Sequence, residues 1–144
     1  MAHILLVEDT MTQALYMQHT LEKAGHRITL ARSGAKALEA LANETPDYLL
    51  SDINMPGMNG YELIGQIKAQ QNHKNLPCLL LLTASSFDEA QQILDSQADG
   101  IIFKSGTAEK FVGQVTLALA ALKEKPRLEQ FFIQAYRQVL ELVN

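Results

Sequence analysis

Three observations predict an α/β fold, a doubly wound five-stranded parallel sheet with helices on both faces. Short apolar runs alternate with longer amphipathic stretches along the 144 residues. Several of those runs are almost uninterrupted apolar sequence, as in strands buried on both faces. Residues able to do chemistry stand where the runs stop, and in such sheets ligands bind beyond the carboxyl ends of the strands.

The strands are expected at Ile4–Val7, Arg27–Ala31, Tyr48–Ser51, Leu79–Thr83 and Ile101–Phe103. Ala14, Met17, Leu21 and Ala24 share one helical face, and Gly25 stops that first helix as a left-handed cap. Ala35–Leu41, behind Ser33-Gly34, reads as a second helix and Tyr61–Gln70 as a third, with Pro77 closing the loop after it. Ser86 with Glu89 three residues on forms a capping-box signature for a fourth. Thr107 opens a fifth, which runs to about Lys123. Strict alternation of strand and helix demands parallel pairing with crossover helices. After the charged break Lys123-Glu124-Lys125-Pro126, steps of four and three from Leu128 through Phe132, Ala135 and Val139 to Leu142 predict one more amphipathic helix. The expected organisation is therefore a domain over 1–123 and a C-terminal helical element, linker or dimerisation device, over 124–144.

Composition narrows the function. A net charge of −4 and a sequence pI near 5.5 argue against a binder of nucleic-acid phosphates. No apolar run approaches the ~20 residues of a membrane span, and the start lacks the basic stretch of a signal peptide. The single cysteine, Cys78, cannot form an internal disulfide and reads as core, in keeping with a reducing cytoplasm. The four histidines show no ligand spacing, and no glycine-rich phosphate loop is present.

The first strand ends in Glu8-Asp9, the third in Asp52, the fourth in Thr83 and the fifth in Lys104. Each alone is an ordinary turn or cap residue. Together at one sheet edge they are a site. Adjacent acids repel unless a cation lies between them, and their hard oxygens suit Mg²⁺. An ammonium group and a hydroxyl beside a carboxylate supply donors for a phosphoryl group.

These residues carry a family resemblance. Ser51-Asp52-Ile53-Asn54-Met55-Pro56-Gly57-Met58-Asn59-Gly60-Tyr61-Glu62-Leu63 resembles the phosphoacceptor loop of response regulator receiver domains. Leu-Val-Glu-Asp near the start, Leu-Thr-Ala after the fourth strand and Phe-Lys after the fifth follow in the same order over about Ala2–Leu122. The resemblance implies the CheY-like strand order 2-1-3-4-5 and a cytoplasmic signalling switch rather than an enzyme. It makes Asp52 the acceptor of a phosphoryl group from a histidine kinase or histidine phosphotransfer protein. Asp9, Asp52, the backbone carbonyl of Asn54 and Glu8 would serve Mg²⁺; Thr83, the backbone N–H of Ala84 and Lys104 would hold the phosphoryl oxygens. Ile101 stands where the family usually has an aromatic, and Ser105 where proline often follows the lysine. Phe103, two residues on, shares the Ile101 side of the strand and reads as core.

A haloacid-dehalogenase-type phosphohydrolase also uses a strand-end aspartate with Mg²⁺. Asn54, in place of a second aspartate acid–base, opposes that reading, as does the position of the nucleophile on the third strand. The fifth and last helices both carry wide apolar faces. The sequence favours their burial by pairing of two chains through 107–143 over folding of the last helix onto its own domain. Neither direct nucleic-acid binding nor membrane insertion is expected of this segment.

Overall fold

The computed structural model describes residues 1–83, 89–104, 106–122 and 128–143. Five strands, β1 (His3–Val7), β2 (Arg27–Ala31), β3 (Tyr48–Asp52), β4 (Cys78–Leu82) and β5 (Gly100–Phe103), form one sheet in the order β2-β1-β3-β4-β5. All four pairings are parallel. Helices α1 (Met11–Lys23), α2 (Gly34–Asn43), α3 (Gly60–Ala69), α4 (Ala90–Asp95) and α5 (Ala108–Leu122) alternate with the strands, and α6 (Leu128–Val143) follows. This is the CheY-like architecture with one added helix.

Strand alternation divides the core in two. Leu5, Val7, Leu49, Leu80 and Leu82 point into one layer, filled from α2 by Ala37 and Leu41 and from α3 by Leu63, Ile64 and Ile67. Ile4, Leu6, Leu50, Leu79 and Leu81 point into the other, against Met17 and Leu21 of α1 and Phe111, Val115 and Ala118 of α5. Because β1, β3 and β4 feed both layers, their sequences are apolar at nearly every position. The edge strands β2 and β5 are half-buried in part and read less cleanly.

Helix ends follow local chemistry. Gly25 has φ +100° and donates its N–H to the Glu22 carbonyl at 2.9 Å, closing α1 as expected. Ala24, expected on the buried face, is exposed, because it has already left the helix as its C-cap. Ser33 caps α2 through the Lys36 N–H at 3.1 Å. At α3 a full capping box joins Asn59 and Glu62, a signal present in the sequence and missed there. The box expected at Ser86 and Glu89 lies partly outside the described residues; Glu89 is the N-cap of α4 and makes no side-chain capping bond.

The open edge of β5 is managed from two sides. Gln114 of α5 accepts the Phe103 N–H at 2.9 Å and donates to the Phe103 carbonyl at 3.1 Å. α6 packs on β5 and α5 and sends Tyr136, only 2% exposed, into the layer that holds α2, α3 and α4. Within the single chain, therefore, Tyr136 of this helix is buried in its own domain, in the layer that half-buried Ile101 and Phe103 of the edge strand border; pairing of two chains through 107–143 stays an expectation from the sequence. Leu142 and Val143 remain outside it, 88% and 54% exposed.

Candidate functional site

The order of the strands reverses on either side of β1 and β3, and a crevice opens beyond the carboxyl ends of such a pair. Glu8-Asp9 leave β1 at that point and Asp52 closes β3 beside them. One carboxylate oxygen from each of Glu8, Asp9 and Asp52 lies within 4.8 Å of the others. Thr83 leaves β4 and Lys104 leaves β5 along the same edge, with the Lys104 N–H continuing the sheet onto the Leu82 carbonyl at 2.8 Å.

Glu8 is fully buried. Its carboxylate accepts the Thr10 N–H at 3.2 Å and sits 2.5 Å from the Lys104 ammonium. Lys104 also stands 3.1 Å from Asp52 and donates to Gln13 Oε1 at 2.8 Å. The ammonium thus donates to Glu8 and Gln13 and pairs electrostatically with Asp52. A buried carboxylate is tolerable only with such compensation; removing the lysine would leave an unpaired buried charge, at a cost of about 3–5 kcal/mol.

Asp52 is held by its own loop. The Ile53 N–H donates to Asp52 Oδ1 at 2.9 Å, and the Gly60 N–H to the Ile53 carbonyl at 2.8 Å. Gly60 is required by proximity: a Cβ there would lie 3.0 Å from the Ile53 Cα and closer still to the Asp52 carbonyl. The spacing from Asp52 to Gly60 therefore folds the loop back beneath the aspartate and starts α3 there. Asn54 is exposed on that loop, and Ala84 lies outside the described residues.

Two neighbours escaped the sequence reading. Gln13, in the first turn of α1, takes one bond from Lys104, and Arg32, just past β2, donates to the Asp9 carbonyl at 2.7 Å. The signal for Arg32 was its position, since it too follows a strand end. Gln13 is an exposed first-turn helix residue with no such mark.

The donor set fits a hard divalent cation. It consists of carboxylate oxygens only, drawn from two adjacent strand ends, with more negative charge gathered than the single ammonium balances. The histidines take no part in this group.

Comparison with known proteins agrees with this geometry. The response regulator receiver domain family matches residues 4–116. The chain is 35% identical over 122 residues to the DNA-binding transcriptional regulator NtrC of Escherichia coli, covering 85% of this chain and 26% of that protein. Response regulator protein FleR of Pseudomonas aeruginosa is 34% identical over 145 residues, covering 98% of this chain and 30% of FleR. Among solved structures, the chemotaxis response regulator CheY4 of Vibrio cholerae superposes with a TM-score of 0.73 at 30% identity, over 81% of this chain and 97% of that one. The chain thus spans between a quarter and a third of the length of these two regulators, and nearly all of the chemotaxis protein. With the family model matching residues 4–116 and the relatives and the sheet order in agreement, this chain belongs to the response regulator receiver domains of two-component signalling.

Proposed function

We propose that the chain accepts a phosphoryl group on Asp52 from a histidine kinase or histidine phosphotransfer protein and signals through the resulting change of conformation. The observation that carries this is the Lys104 ammonium, set 3.1 Å from Asp52 and 2.5 Å from buried Glu8 within a cluster of three acids. Asp52 is partly accessible and paired with Lys104, whereas Glu8, the other acid paired with it, is fully buried. Its oxygen would attack phosphorus while the bond from phosphorus to the donor nitrogen breaks and its electron pair leaves with that nitrogen. Lys104 would pair with a phosphoryl oxygen, and the Thr83 hydroxyl and Ala84 N–H would donate to the others.

Glu8, Asp9, Asp52 and the Asn54 carbonyl would hold Mg²⁺. The chemistry such an ion supplies when bound is neutralisation of charge on the phosphoryl oxygens. Residues 1–123 are read as the receiver, in the cytoplasm, and 124–144 as a C-terminal amphipathic helix, linker or dimerisation element. No helix among the described residues is long and apolar enough to cross a membrane.

Incubation with acetyl phosphate and Mg²⁺ tests the assignment. The wild type should gain one base-labile phosphoryl group and Asp52→Asn none; undiminished labelling of the variant would overturn it.

A further inference from the structure

Among the described side chains of α6, Tyr136 alone is almost completely buried, and its hydroxyl has no hydrogen-bond partner among the described residues. Burying a hydroxyl unpaired weighs against docking by about 5- to 150-fold. Beside it the described part of the seam leaves open space. A groove of about 140 Å³ runs between α6 and the domain, lined by Ile101, Phe103, Gln114, Leu117, Ala135 and Val139. The helix is therefore seated in a way that a small change can unseat.

The seat is tied to the phosphoacceptor loop. Tyr61 follows Gly60, the residue folded against Asp52 and Ile53, and its hydroxyl lies 3.4 Å from the Glu89 carboxylate. Glu89 begins the first turn of α4, six residues after Thr83. The Tyr136 ring joins the apolar layer that Tyr61, Ile93 and Ile101 border. Burial, together with the nearby Glu89 charge, holds the Tyr136 phenol above its usual range, and Tyr61 is raised by the same two causes.

We propose that α6 is a latch on the β5 edge, with Tyr136 as its catch beside the Tyr61–Glu89 pair, and that loading of Asp52 weakens the catch and frees the helix. This rests on Asp52 being the phosphoacceptor. Tyr61 is attached to the site through Gly60, which lies against Asp52 and Ile53, and it carries any shift of that loop to Glu89 through their contact. α6 lies beyond the residues that match the receiver family, so the latch is a property of this chain rather than of receivers at large.

Hydrogen exchange on the whole chain, with and without Mg²⁺ and beryllofluoride as the phosphoryl mimic, tests it. On loading, peptides containing Asp52 should become protected while amides of 135–143 exchange at least about tenfold faster. Tyr136→Phe removes the unpaired hydroxyl and keeps the ring. It should slow exchange of α6 in the unloaded chain by about fivefold or more and, by reciprocity, weaken beryllofluoride binding by the same factor. Protection at Asp52 with no change in α6 would overturn the latch and leave the phosphoacceptor reading standing. No change at either place would overturn both. Faster α6 exchange in Tyr136→Phe, or slower exchange with unchanged beryllofluoride binding, would reduce Tyr136 to a structural contact.

Discussion

Each acid at the strand ends has a different environment, and the differences assign different work. Glu8 is buried and bound to Lys104, so it fixes the ammonium in place. Asp9 is half-buried, its backbone carbonyl is held by Arg32, and one of its carboxylate oxygens lies within 4.8 Å of those of Glu8 and Asp52. A ligand that binds only the folded state stabilises it by mass action, by about 2.7 kcal/mol at a hundred times Kd. For a chain of this size that is roughly 5–10 °C in Tm. Mg²⁺ should therefore raise the melting temperature of the wild type by several degrees, and Asp9→Ala should lose most of that rise. A variant that responds as strongly as its parent would remove Asp9 from the ligand set.

His26 gives a pH signature at the opposite end of the sheet. Its ring accepts the Ala2 N–H at 3.2 Å, which requires the neutral form, and burial followed by the chain's amino terminus lowers its pKa below the usual value. The unfolded chain then binds more protons than the folded one as pH falls, so this contribution to stability is complete above pH ~6.5 and declines below it. Urea unfolding between about pH 8 and about pH 5 should show that decline in the wild type and a smaller one in His26→Gln; equal slopes would contradict it. Cys78 shows why the lone thiol carries no function. Burial pushes it up to about 12, so it stays protonated and unreactive in the core.

At the scale of elements, the loop from Asp52 to α3 couples fold and site most tightly. The capping box of Asn59 and Glu62 fixes where α3 begins, and Gly60 brings that start against the aspartate. Asn59→Ala should cost about 1 kcal/mol, read as a lower midpoint in urea with an unchanged slope. A loss of Mg²⁺ response out of proportion to that cost would show that the cap also positions Asp52. β5 and α6 show where sequence reasoning stopped. The sequence made the C-terminal helix visible through its steps of four and three, because periodicity is local. It could not say which surface covers that helix, because this depends on what β5 leaves open at the sheet edge. Ile101 and Phe103 are half-buried without α6 being named by any pattern within the strand itself.

Across the molecule, the sheet order and the gathering of Glu8, Asp9, Asp52, Thr83 and Lys104 at one edge were legible because parallel strands put all their carboxyl ends on one side. The partners of Lys104 were only partly legible. Asp52 and Glu8 follow strands, whereas Gln13 reaches the ammonium from a helix, and side-chain reach leaves no mark in sequence spacing. The relatives that share this domain carry it as a minor part of much longer chains, 26% of NtrC and 30% of FleR. What this chain holds in common with them is the receiver domain, and the identity of the proposed phosphoacceptor decides the account. Mass spectrometry of peptides from the wild-type chain, after reaction with acetyl phosphate and Mg²⁺, measures it directly. A single phosphoryl group confined to the peptide that carries Asp52 is the result predicted here; a group on any other residue, or none at all, would contradict it.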